Sequence, residues 1–157
     1  MQKKMREHPL SEKDKQKLLD TAEVGRLGTI NADGSPYVIA LHFVYEVSHI
    51  YLHCLPVGQK TDNIQKDSRV CFEIDSMLVI KRENLQTPCH ASTAYQSIVI
   101  SGSASMVTDV AEKRRVPGLF AGKYVPEMNP DDMPQSRIKS TAIIDIAIKE
   151  ITGKYHD

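Results

Sequence analysis

Residues 24–45 read VGRLGTINADGSPYVIALHFVY, and their pattern decides the fold. VGRLGTI is a β-branched and apolar run, NADGS supplies turn residues with a glycine, and PYVIALHFVY is a longer run of the same texture. This is a hairpin of two antiparallel strands. In the second strand Ile39, Leu41 and Phe43 fall on one face, and Val38, Ala40, His42 and Val44 on the other. Both faces are therefore expected to be largely buried, as in a barrel wall or a dimer seam. Downstream, HIYLHC alternates Ile50, Leu52 and Cys54 against Tyr51 and His53 and is broken by Pro56 and Gly58, so it reads as a third strand. RVCFEID, YQSIVISGSASMV and STAIIDIAIKEIT read as a fourth, fifth and sixth. Upstream, Ser11 with Asp14 three residues on starts a short helix that carries Leu18 and Leu19 and ends near Ala22. TDNIQKD reads as another. Asp109 and Glu112 cap a helix through AEKRR, which Pro117 and Gly118 are expected to split into two short pieces. VPEMNPDDMPQS, with three prolines, reads as an exposed loop. The expectation is a mostly β domain of about six antiparallel strands with short flanking helices.

A chain of 157 residues suits a single domain, here 1–157. Twenty basic and twenty acidic side chains cancel, so no general field draws the protein to nucleic acid or to an anionic membrane. The amino-terminal MQKKMREHPLSEKDKQ lacks an apolar core, and no run approaches the roughly 20 apolar residues of a membrane span. Three widely spaced cysteines, Cys54, Cys71 and Cys89, argue against a disulfide framework and for a reducing, cytoplasmic setting. With no short ligand spacing among them and His53 or His90, no metal site is expected.

Chemistry is best placed in residues 51–63, YLHCLPVGQKTDN, where a strand end delivers His53 and a Gly-containing loop delivers Lys60 into a helix start. Loop N–H groups, a helix amino terminus and a lysine together suit a phosphate dianion. The string is not a Walker A loop, because Gly58 and Lys60 are separated by Gln59. On these residues alone, Lys60 solvating a loop is an equally good reading.

The ordered series VGRLGTINADGSPYVIALHFVY, IYLHCLPVGQKTDNI, RVCFEID, then YQSIVISGSA, EKRR and ITGK resembles the flavin-binding split-barrel superfamily. Within it the chain resembles the pyridoxamine 5′-phosphate oxidase-related proteins of the Nim type, the nitroimidazole resistance and nitroreductase family. The resemblance implies a split β-barrel, Greek-key-like, that forms a homodimer with one flavin mononucleotide (FMN) in each cleft between subunits. It implies that the backbone of Arg26, Leu27, Gly28 and Thr29 lies along the isoalloxazine, with Gly28 permitting close approach. It also implies that Arg26 and Lys60 neutralise the phosphate, that Asn63 and Ser97 add neutral donors, and that Cys54 touches the flavin through its backbone. His53 would face the flavin and a small-molecule substrate, a proton shuttle near physiological pH and the one catalytic candidate. The implied activity is FMN-dependent reduction of a small electron-poor acceptor, such as the nitro group of 5-nitroimidazoles, with an unidentified electron donor.

Two departures matter. Gln59 stands where the larger oxidases carry a second basic residue, and the long carboxyl-terminal extension with substrate-binding arginines is missing, so oxidation of pyridoxamine phosphate is not expected. Two other functions stay open at this point: a flavin-binding module without efficient turnover, and a haem-binding split barrel using spare histidines such as His42 and His90.

Overall fold

The computed structural model describes residues 3–83 and 85–156. Helices α1 (Lys3–Glu7) and α2 (Glu12–Thr21) lead into strands β1 (Gly25–Ile30), β2 (Pro36–Leu41), β3 (Val44–Glu46) and β4 (His49–Cys54). Helix α3 (Gln59–Lys66) is followed by the long strands β5 (Arg69–Lys81) and β6 (Ser92–Met106). Helices α4 (Val110–Tyr124) and α5 (Gln135–Ser140) precede β7 (Ala142–His156). The seven strands form one antiparallel sheet in the order β2-β1-β5-β6-β7-β4-β3. The chain thus builds one edge with the first hairpin and the opposite edge with the second. It then crosses through α3 to lay β5, β6 and β7 between them.

Period-two patterning sets the core. Leu27 of β1, Phe72 and Ile74 of β5, Ile98 and Ile100 of β6, and Ile144 and Ile146 of β7 all turn to one face and are fully buried. Each contributes about 1.5–3 kcal/mol relative to an exposed position. Leu18 and Leu19 of α2 and Ile64 of α3 join them. Ser11 caps α2 as its spacing requires, its Oγ accepting from the Asp14 N–H at 3.1 Å. Tyr51 of β4 and Ile143 of β7 point to the opposite face, where Val116 and Phe120 of α4 cover them in a second cluster.

Three expectations are corrected. The long second strand is two strands, making seven rather than six. At the break, the hydroxyl of Tyr124 accepts from the Phe43 N–H at 3.0 Å and lies 2.8 Å from the Phe43 carbonyl, so a side chain satisfies backbone groups that a neighbouring strand would otherwise pair. The second face of β2 is open within one chain: Val38 is 63% exposed, because β2 is an edge strand with nothing packed over that side. Finally, α4 runs unbroken through Pro117. Its anchors outweigh the proline's cost of roughly 3 kcal/mol. Asp109 caps it by accepting from the Glu112 N–H at 2.9 Å, and Val116, Phe120 and Ala121 are buried. Arg115 ties it to Glu46 and to the Tyr51 hydroxyl.

The three cysteines are unpaired thiols, and among the described residues no helix is long and apolar enough to cross a membrane.

Candidate functional site

Asn63 sets the position of α3. It is almost fully buried, its Nδ2 donates to Thr29 Oγ1 at 2.9 Å and to Asn31 Oδ1 at 2.8 Å, and its Oδ1 accepts from Gln59 Nε2 at 3.0 Å. Thr29 points inward from β1 to meet it. The pair is a clasp between β1 and α3, and both amide hydrogens of Asn63 are occupied within the chain. Gly58, at φ 140°, makes the turn into α3 and brings no side chain to cap it. Of the first-turn N–H groups, that of Thr61 donates to the Gly58 carbonyl at 3.0 Å, while those of Gln59 and Lys60 have no backbone acceptor among the described residues. Lys60 stands in that turn and forms no ion pair among the described residues. A cation there is opposed by the positive end of the helix dipole. Only Asp62 offsets it within the turn. Cys54 lies close by: burial pushes its thiol up and the charge of Lys60 pulls it down.

Arg26 occupies different surroundings. It points away from the core, and its guanidinium pairs with Glu73 at 3.0 Å and with Asp75, the two acidic side chains of β5 opposite it. The hydrogen bonds that Arg26 donates to Asp75 and then Glu73 raise its pKa further, so its charge is matched within the chain. Gly28 faces the same way, and a Cβ there would lie 3.4 Å from the Cys71 carbonyl oxygen, tight but not excluded. Leu27 lies wholly in the core. Ser97, opposite Asp75 on β5 and Lys154 on β7, is buried on the Arg26 side of the sheet. The structure therefore gathers the sequence-derived residues into two groups: Thr29, Cys54, Lys60 and Asn63 around α3, and Arg26, Gly28 and Ser97 on the outer face.

His53, next to last in β4, lies opposite Ile143, with Phe120 edge-on at 4.6 Å between ring centres. Partial burial, and secondarily the neighbouring His42, lower the pKa of its imidazole, although the residue remains exposed at the mouth of the site. It lines a cavity of about 280 Å³ with His42, Val116, Phe120, Tyr124 and Ile143. A more open hollow of about 340 Å³ continues past the same two histidines to Val24 and Ala40. A third, of about 360 Å³, runs on from Val24 to Arg26 and Asp75. One groove thus leads from the outer face to the cavity beneath α4. Its apolar walls and paired imidazoles can hold a small ring and exchange a proton with it.

His42, Phe120 and Tyr124 were not singled out by the sequence for this site. His42 stacks on Tyr124 at 4.7 Å, and Tyr124 stacks on Phe120 at 6.0 Å. Only the interruption of the strand at His42 and Phe43 hints at them, and it is visible only once Tyr124 is in place.

The fold is shared with solved structures. A candidate 5-nitroimidazole antibiotic resistance protein from Bacteroides thetaiotaomicron superposes with a TM-score of 0.79 at 22% identity, over 92% of this chain and 84% of that one. A flavocytochrome from Azotobacter vinelandii gives 0.77 at 20% identity, over 94% and 68%. An FAD-binding protein from Mesorhizobium loti gives 0.65 at 23% identity, over 94% and 96%. These likenesses establish the split-barrel fold. No curated protein sequence is significantly similar to the chain. The family model described as pyridoxamine 5′-phosphate oxidase matches residues 11–155, nearly the whole length, and the protein belongs to that family.

Proposed function

We propose that the protein is an FMN-dependent reductase of small electron-poor acceptors, nitroimidazoles among them. The observation that carries the reading is the groove that joins His53 and an apolar cavity to the strand face of β1 and β2, with an uncompensated Lys60 on the loop that follows His53. The residues fit the cofactor's phosphate at Lys60 and the backbone N–H groups of Gln59 and Lys60, a full positive charge with two open donors beside it. They fit it less well at Arg26, whose charge Glu73 and Asp75 already meet. Asn63 contributes by fixing α3 rather than by donating. Flavin, when bound, would supply two-electron chemistry between an electron donor and the acceptor. The chain's own part is to bind and orient the ring along β1, to exclude water with Phe120 and Tyr124, and to hold or move a proton at the His53 imidazole. The His53 ring nitrogens have no hydrogen-bond partner among the described residues, which leaves them for a ligand.

The open face of β2, with Val38 63% exposed, and the exposed run Met77 to Ile80 on β5 support a homodimer, with the cleft between copies completing the flavin site. Sedimentation of a monomer at micromolar concentration would contradict this.

Anaerobic reduction of FMN-loaded protein by a nicotinamide cofactor, followed by a nitro compound, tests the activity. Reoxidation with loss of the nitro absorbance is expected. His53→Ala should lower that rate by roughly 10²-fold while leaving flavin affinity within a few fold. Two imidazoles in one apolar cavity favour haem as a second reading, and a Soret band on hemin titration would support it.

A further inference from the structure

We infer that the cavity beneath α4 selects a planar acceptor of no net charge, and rejects anions of the same size and shape. The inference rests on the reductase reading above and names the substrate class of the same site.

Shape comes first. The cavity measures about 280 Å³, near the lower end of the range of roughly 300–1,000 Å³ typical of small-molecule sites, so it takes one ring with short substituents. Its flat walls are the Tyr124 ring, stacked on His42, and the Phe120 ring, which lies nearly parallel to Tyr124 at 17°. Val116 and Ile143, both almost fully buried, close the floor.

Polarity decides the rest. None of the described residues lining the cavity is a lysine, arginine, aspartate or glutamate. Two of its polar side chains are already committed to backbone carbonyls. Thr141 Oγ1 donates to Arg137 O at 2.8 Å, and the Tyr124 hydroxyl is held between Phe43 and Glu23. His42 and His53 remain, and neither has a hydrogen-bond partner among the described residues. They can meet a nitro or carbonyl oxygen, or a ring nitrogen, with one N–H each. An anion entering between these apolar walls would shed part of its hydration and meet no lysine or arginine in return, whereas a neutral isostere loses far less.

The test is direct binding of a matched pair, para-nitrobenzamide and para-nitrobenzoate, to the FMN-titrated protein near neutral pH, by calorimetry without electron donor. The amide should bind roughly tenfold or more tighter than the carboxylate. Met133→Lys, which places an ammonium on the half-buried wall of the cavity, should bring the ratio to about threefold or less by rescuing the carboxylate. Equal affinities, binding of neither probe, or a ratio unmoved by Met133→Lys would each overturn the inference. Flavin absorbance read on the same sample separates the two readings. Discrimination by a protein that takes up no flavin removes the reductase and keeps the selectivity, while a flavin-loaded protein without discrimination removes the selectivity alone.

Discussion

In the proposed function, cofactor binding turns on Lys60. It stands in the first turn of a helix with no side-chain cap and no ion pair among the described residues. A hydrogen bond to a charged group contributes about 1.5–3 kcal/mol, so Lys60→Ala should weaken FMN binding roughly 10- to 100-fold, read by quenching of flavin fluorescence. Equal affinity would contradict the phosphate assignment. The place of Lys60 at the start of α3 was legible because strand, glycine loop, lysine and helix are consecutive in the chain. The surroundings of Arg26 were not, because Glu73 and Asp75 lie 47 and 49 residues away and no local pattern announces that they meet it. Asn63 was recognised as important but for another role: its partner Thr29 lies 34 residues back.

A second residue, behind the Tyr124 wall of the cavity, gives a pH signature. Lys123 donates to Leu19 O at 3.1 Å and lies 3.8 Å from the centre of the Phe43 ring, both of which favour the cation. Burial opposes them and wins, lowering its pKa from 10.5 to about 8. Between those values the unfolded chain binds more protons than the folded one, so this group's contribution to stability rises with pH and levels off above 10.5. Urea unfolding of wild type against Lys123→Met should therefore show the wild type gaining relative stability from pH 8 to 10.5. A difference that stays flat would place the amine in solvent.

At the level of elements, most of the sheet was readable, because alternation along β1, β5, β6 and β7 is strict wherever one face is buried. Failures arose where one element acts on another from a distance. The division between β2 and β3 depends on a hydroxyl 81 residues away in sequence. Tyr124→Phe leaves the Phe43 backbone groups without that partner in a fully buried position. It should cost about 1–3 kcal/mol of unfolding free energy, measured by urea, and should also loosen His42 against the cavity. No loss of stability would mean that the backbone pairs elsewhere at the break. The hairpin between β3 and β4 shows a similar override: Val47 and Ser48 turn it with positive φ of 43° and 68° in place of the asparagine and glycine such turns prefer. The continuity of α4 has the same origin, since a proline breaks a helix only when nothing else holds both halves.

For the whole molecule, these local facts add up to one design. An antiparallel sheet carries its core on one side, lays α4 over its far end, and leaves a groove from the outer face of β1 to the paired histidines. Composition was informative here mainly by exclusion: balanced charge and unlinked cysteines fit a compact domain with no general field for polyanions. The sequence could not reveal the open face of β2, since the same apolar alternation serves a barrel interior and a surface awaiting a second copy. The central claim is that this groove holds flavin mononucleotide by its phosphate at the start of α3. The most direct measurement is a titration of the purified protein with FMN and, in parallel, with riboflavin, which has the same rings without the phosphate. A saturable, shifted flavin spectrum with FMN, and roughly 10- to 100-fold weaker binding of riboflavin, is the result expected. A protein that leaves both spectra unchanged, or binds the two equally, would contradict it.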